Sequence, residues 1–164
     1  MTKWGDKVCI MKNMFLIEIS PKILADNTSV LQEIHSLGIK KINNIEIKKI
    51  YSLVGNVDKN QIVFITEALL ADLVAESYRV IASKDFKNLN LSNNTIVNIW
   101  YKPQVLDVES IYVVKGIKYL GFKEELEVHS GKQIVFSPKV DKKTVDFVVE
   151  KIFMNPLIQY YEII

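Results

Sequence analysis

The chain has one cysteine, Cys9, one arginine, Arg79, and four prolines in 164 residues. A single cysteine excludes an internal disulfide framework. No base stands near Cys9 in the sequence, so it reads as a small semi-polar residue and not as a nucleophile. Specific phosphate or base recognition favours arginine's planar fork. One arginine and a formal net charge of +2 therefore argue against a nucleic-acid partner or an anionic membrane. No stretch approaches the roughly 20 apolar residues of a membrane span. The apolar run at 14–17 stops at Glu18, short of the about 7–15 residues of a secretory core. The expectation is a soluble cytoplasmic protein.

Reactive motifs are missing as well. There is no HExxH, CxxC or calcium loop, so no metal is expected, and no P-loop or GxGxxG to cradle a phosphate. Ser130-Gly131 is not a nucleophile elbow. His35 falls in the last turn of an expected helix, where it suits the carbonyl end of the dipole. His129 is expected at a surface turn. Asp26 and Asp107 are better explained as helix caps than as a catalytic carboxylate pair. Lys48-Lys49 and Lys142-Lys143 read as solvated faces. No catalytic, cofactor-binding or metal-binding residue can be named, and an enzyme complete in itself is the least supported reading.

What the chain does have is a repeat. Residues 57–81 align with 140–164 without a gap, 83 residues apart, with seven of 25 positions identical. The identities are Val57/Val140, Asp58/Asp141, Lys59/Lys142, Phe64/Phe147, Glu67/Glu150, Tyr78/Tyr161 and Ile81/Ile164. The same offset brings Leu37-Gly38 over Leu120-Gly121. One residue of slippage then brings Pro21-Lys22-Ile23-Leu24 over Pro103-Gln104-Val105-Leu106.

Each copy reads alike. Strands are expected at 14–20 and 95–101, each followed by a proline that ends the ladder. A helix follows, capped by Asp26 or Asn27 in one copy and by Asp107 in the other, and closed by Gly38 or Gly121. Val30, Leu31, Ile34 and Leu37 supply its apolar stripe in the first copy. Next comes a pair of strands. In the second copy 125–129 is expected to turn through Ser130-Gly131 into 132–137 as a hairpin. Asp58 and Asp141 cap a second helix whose apolar faces are Ile62, Ile65, Leu69 and Val145, Val148, Ile152. Final strands occupy 76–81 and 159–164.

The expected fold class is α+β: two tandem β-α-β-β-α-β units of the split-βαβ kind, antiparallel sheets with helices on one face. The units are 13–81 and 95–164, joined by the polar linker 82–94. A unit of about 70–80 residues is too small to be comfortable alone. The copies are therefore expected to pack as a pseudo-twofold intrachain dimer in which one sheet face covers the other, with Tyr160, Tyr161, Ile163 and Ile164 packed inside.

These residues resemble a known family. The second copy reads Lys102-Pro103-Gln104-Val105-Leu106-Asp107, then Tyr119-Leu120-Gly121-Phe122. It continues Leu126-Glu127-Val128 with Gly131-Lys132, and closes Met154-Asn155-Pro156-Leu157-Ile158-Gln159-Tyr160-Tyr161-Glu162-Ile163. The first copy carries His35-Ser36-Leu37-Gly38 and a closing segment from Leu69 to Val80. This is similar to the PurS family of phosphoribosylformylglycinamidine synthase. Departures are Ala25-Asp26, Leu73 in place of a proline, and no PQG after Asp107. The resemblance implies a non-catalytic assembly module that bridges synthetase (PurL-like) and glutaminase (PurQ-like) parts in purine biosynthesis. ATP, magnesium and glutamine would belong to those partners, and no cofactor to this chain. It further implies a free tandem subunit or the N-terminal part of a long synthase, with further homo-oligomerisation open. The candidate partner contacts are Tyr78, Arg79, Asn155, Pro156, Tyr160 and Tyr161. The alternative, from a different class, is a regulatory module that binds a small molecule between paired units.

Overall fold

The computed structural model describes residues 12–23, 26–88 and 93–164. Cys9, Leu24, Ala25 and the linker residues 89–92 lie outside the described residues. The first half runs β1 (Asn13–Pro21), α1 (Thr28–Ser36), β2 (Asn44–Gly55), α2 (Lys59–Ile65) and β3 (Glu76–Ala82). A short 3-10 helix, Ser83–Asn88, follows. The second half runs β4 (Thr95–Tyr101), α3 (Val108–Tyr119), β5 (Glu127–Ser137), α4 (Lys142–Val148) and β6 (Gln159–Ile163).

All six strands form one antiparallel sheet in the order β3-β1-β2-β5-β4-β6. The α+β class and the antiparallel sheet with helices on one face are as expected. Three expectations are corrected.

The expected strand pair in each half is one long strand. β2 and β5 face each other from Asn44↔Ser137 to Val54↔Glu127, so each half is β-α-β-α-β and no hairpin turns at Ser130-Gly131. Gly131 has a different purpose. A Cβ there would run into the Ile99 carbonyl oxygen and come within 2.7 Å of the Trp100 ring. The glycine lets β4 lie close, in an ordinary extended conformation.

The halves also meet edge to edge and not face to face. Pairing β2 with β5 removes two open strand edges, which are otherwise a liability. It leaves β3 and β6 at the outer edges. Tyr160 (40% exposed), Ile163 and Ile164 are therefore surface residues, and only Tyr161 packs against the core.

The third correction concerns the slippage between copies. Lys22 donates its amide to Ala75 O and its Nζ to Leu73 O, while Lys102 does the same to Ile158 O and Pro156 O. Lys22 and Lys102 thus stand at corresponding places, 80 residues apart, and Pro21 corresponds to Tyr101, not to Pro103. The slip is three residues and falls in the first helix, where α3 has 12 residues and α1 has nine.

Two apolar cores sit under the helices, and each draws on both halves. One joins Phe15, Ile17, Ile19, Leu53, Ile62 and Ile65 to Val113, Ile117, Leu126 and Val128. The other joins Ile34, Ile42 and Ile45 to Val97, Ile99, Ile134, Phe136, Val145 and Val148. So α3 covers strands of the first half beside α2, and α1 covers strands of the second half beside α4. A strand rises about 3.3 Å per residue, and the length of β2 and β5 is what carries the chain from one core to the other.

The second helix of each half starts on a cap: Asp58 accepts from Gln61 N, and Asp141 from Thr144 N. Each then widens into a π turn, Thr66–Leu70 and Val149–Phe153. Bonds such as Ala71 N to Thr66 O (2.9 Å) and Met154 N to Val149 O (3.0 Å) close it. The extra residue per turn moves the buried position from the expected Leu69 and Ile152 to Leu70 and Phe153. Leu69 turns instead onto Gly116 of α3, where an added Cβ would lie 3.0 Å from its methyls. That close approach between helices of the two halves accounts for a glycine in mid-helix.

Candidate partner-binding face

The first helix of each half begins against the sheet, but only α3 does so beneath an apolar surface. Asp107 anchors its start. One carboxylate oxygen accepts from Ser110 N (3.0 Å) and Ser130 Oγ (2.7 Å), and the other from Ser130 N (2.7 Å). The cap therefore ties α3 to β5 as well as ending the helix. Beside it, the buried Tyr51 donates its hydroxyl to Glu109 Oε1 at 2.5 Å. Burial, and then the carboxylate it bonds, push that phenol well above its ordinary value. It stays a neutral donor at any physiological pH.

Between these groups lies a groove of about 580 Å³ lined by Tyr51 and Leu69 of the first half and by Tyr101, Leu106, Val108 and Tyr112 of the second, among others. Its outer wall is apolar yet open to solvent: Leu106 is 70% exposed, Val108 52% and Tyr112 67%. Tyr119, at the end of the same helix, is 92% exposed. A helix with apolar residues towards the core and towards water has an unmet surface.

The corresponding positions of the first half are polar: Asp26 for Leu106, Thr28 for Val108, Gln32 for Tyr112 and Ser36 for Tyr119. The groove there is lined by Ser20, Asp26, Asn27, Thr28, Asn43 and Lys48, among others. The apolar face is one-sided. Sequence reasoning missed these four residues. The signal was present in the comparison of the two first helices, once their three-residue slip is allowed for.

The expected contacts fall elsewhere. Tyr78 and Arg79 lie on β3, and Tyr160 and Tyr161 on β6, at opposite edges of the sheet. Tyr78 and Tyr161 turn towards the helices and donate to Glu67 and Asp146, each at 2.5 Å. Arg79 holds Glu18 (2.7 Å). Asn155 folds its own turn by accepting from Leu157 N (3.0 Å), and Pro156 O receives Lys102 Nζ (2.6 Å). Of the six, Asn155, Pro156 and Tyr160 are exposed at the β6 side of the sheet, and Tyr78 and Arg79 lie at the β3 edge.

His35 bonds Ile42 O through Nε2 (2.9 Å) at the end of α1. His129 lies within β5 and not at a turn, with Glu127 Oε1 2.9 Å away. Asp26 and Asp107 line separate grooves. Among the described residues no three of His, Cys, Asp and Glu stand together as metal ligands. No described helix is long and apolar enough to cross a membrane.

Three of the carboxylates that folding depresses are paired with lysines. Lys41, from the loop after α1, holds the Asp141 cap well below its usual 3.8, with Thr144 adding to this. Lys142 and then Tyr161 lower Asp146. Lys49 lowers Glu76 from 4.5. A group depressed by folding contributes stability above its unfolded value and loses it as pH falls through the folded one. The melting temperature is expected to hold from neutral pH to about 5 and to fall steadily below about 4.5, with a shallower fall in Asp141→Asn. Thermal melts across pH 2–7 check this, and a level profile down to pH 2 contradicts it.

Fold and surface together define an α+β sheet protein of two interlocked halves whose exposed feature is an apolar face and not a cluster of reactive groups. Residues 94–164 match the model of the PurS family, described as phosphoribosylformylglycinamidine (FGAM) synthase. The second half of the chain is thus similar to that family. No curated protein matches it.

Proposed function

We propose that the chain is an assembly module of FGAM synthase that joins a PurL-like synthetase and a PurQ-like glutaminase and performs no chemistry itself. The observation that carries this is the one-sided apolar face of α3, with Leu106, Val108, Tyr112 and Tyr119 exposed above an anchored helix. Obligate partners bury such residues, while an isolated protein gains nothing from them. ATP, magnesium and glutamine are assigned to the partners, and the complex to the cytoplasm.

In this reading the halves, 13–81 and 95–164 with 82–94 between them, are a duplicated unit and form a built-in dimer. The matched bonds of Lys22 and Lys102, the paired caps Asp58 and Asp141, and the paired π turns support the duplication. Tyr160, exposed on the outer edge, is retained as a second contact beside Asn155 and Pro156. Tyr78 and Arg79 mark the other edge.

A bridge has a distinctive kinetic signature. With purified synthetase and glutaminase, amidation of formylglycinamide ribonucleotide from glutamine is expected to require this chain. The same reaction supplied with ammonia is expected to proceed without it. Equal dependence of both reactions on the chain contradicts bridging. The regulatory-module alternative places a small molecule in the groove between halves. It is separated by thermal melts, which would rise with an amino acid or nucleotide in that case alone.

A further inference from the structure

On the face of the sheet away from the helices, four polar side chains meet across four strands. Gln133 of β5 donates through Nε2 to Glu18 Oε1 of β1 (3.1 Å) and to Asn98 Oδ1 of β4 (2.9 Å). Arg79 of β3, the chain's one arginine, donates to Glu18 Oε2 from Nε (3.1 Å) and Nη2 (2.7 Å). Glu18 is 4% exposed, Asn98 3% and Gln133 2%. Gln133 Oε1 is buried without a partner. Such a cluster is weak as a source of stability, since an apolar replacement of similar volume commonly does as well. Its best-attested use is to fix who pairs with whom.

The register shows what is being fixed. At the middle of the β2–β5 ladder Lys49 faces Lys132, and these two are also counterparts, 83 residues apart. A two-fold relation between the halves therefore passes between them. Under it Glu18 corresponds to Asn98, Ile50 to Gln133, and Arg79 to Glu162. The set is complete only when a first half meets a second half. Two first halves would bury two Glu18 carboxylates against two Ile50 side chains, with the amide donor gone. Two second halves would replace the fully buried Ile50 by another Gln133 and Arg79 by Glu162, leaving amides without the carboxylate or the guanidinium. Each wrong pairing strands buried polar groups.

We infer that the Glu18–Gln133–Asn98–Arg79 cluster is a pairing code: it directs β2 of a first half onto β5 of a second half and rejects like-with-like pairing between chains. The inference rests on reading the halves as duplicated units and is independent of any catalytic partner. A null result with the synthetase would leave it standing.

The two-fold point supplies the reporter, since paired strands there bring Cα atoms within about 4.5–5.5 Å, inside disulfide range. In a full-length Cys9→Ser background, Lys49→Cys alone can crosslink only to another chain, and only when two first halves pair. Under copper-phenanthroline oxidation this chain is expected to yield little covalent dimer. Lys49→Cys/Lys132→Cys is expected to close within one chain. Mixing the Lys49→Cys chain with a Lys49→Cys chain recoded by Glu18→Asn/Ile50→Gln, whose first half then presents a second half's residues to an unrecoded first half, should raise the interchain product about tenfold or more over either chain alone. The Lys49→Cys/Lys132→Cys form of the recoded chain shows in parallel whether its sheet is still made. The reciprocal mixture, Lys132→Cys chains with and without Asn98→Glu/Gln133→Ile, keeps the test open if the first recoding fails to fold. Equal interchain yield in the mixtures and in the separate chains, for both reporters, overturns the inference.

Discussion

Gly131→Val is expected to lower the melting temperature by about 8–16 °C. Overpacking costs about 1–3 kcal/mol where side chains can give way. Here the obstacles are the Ile99 carbonyl, which belongs to the neighbouring backbone, and the Trp100 ring, itself buried. A cost of about 4 kcal/mol follows, and a chain of this size loses about 2–4 °C for each of them. Lys48 holds the corresponding place in β2, so Lys48→Val is the control and is expected to shift the melt by about 2 °C or less. Calorimetry on both variants decides it. A Gly131→Val protein that melts with the wild type would mean that β4 does not lie against β5 as described.

The second large effect is on binding. Val108→Asp/Tyr112→Asp is expected to weaken association with the synthetase–glutaminase pair by about 100-fold or more, since buried aromatic and aliphatic anchors carry about 2–4 kcal/mol each at interfaces. Folding should be spared. Both side chains are more than half exposed, and at 108 an aspartate in the first turn suits the helix dipole. Thr28→Asp/Gln32→Asp, at the corresponding places on α1, is expected to change affinity by less than about threefold, because surface changes outside an interface are near neutral. Titration calorimetry with each variant reads the difference. Equal losses on both faces would make the partner site two-fold and remove the significance of the apolar asymmetry.

Much of the fold was legible because single residues carried it. Asp58 and Asp141 mark helix starts that side-chain bonds confirm. Gly38 and Gly121 take the left-handed conformation, φ +88° and +92°, that closes the first helices. The failures share a cause as well. Ser130-Gly131 has the composition of a turn, and nothing local says that the glycine answers to Trp100, a residue 31 positions earlier in the chain. The edge-to-edge joining of the halves is a long-range property of β2 and β5, whose paired lysines Lys48-Lys49 interrupt the apolar pattern and made one strand look like two.

The family resemblance was legible in the sequence, and the apolar face of α3 was not. The resemblance rested on closing segments such as Asn155-Pro156, which the structure shows to be turns that satisfy their own backbone. The exposed residues of α3 belong to no motif. They stand out only against their polar counterparts in α1, and that comparison needs the correct three-residue slip within the first helix. Burial of Leu70 and Phe153 at the ends of the π turns was hidden for a related reason: a helical stripe read at 3.6 residues per turn falls on Leu69 and Ile152 instead.

Native mass spectrometry of this chain mixed with the purified PurL-like synthetase and PurQ-like glutaminase tests the assembly role most directly. The expected result is a complex that holds all three proteins, with one copy of this chain per synthetase because only one half carries the apolar face. It should be lost in Val108→Asp/Tyr112→Asp. Free components alone across micromolar concentrations, with the wild-type chain folded, would contradict the role of assembly module.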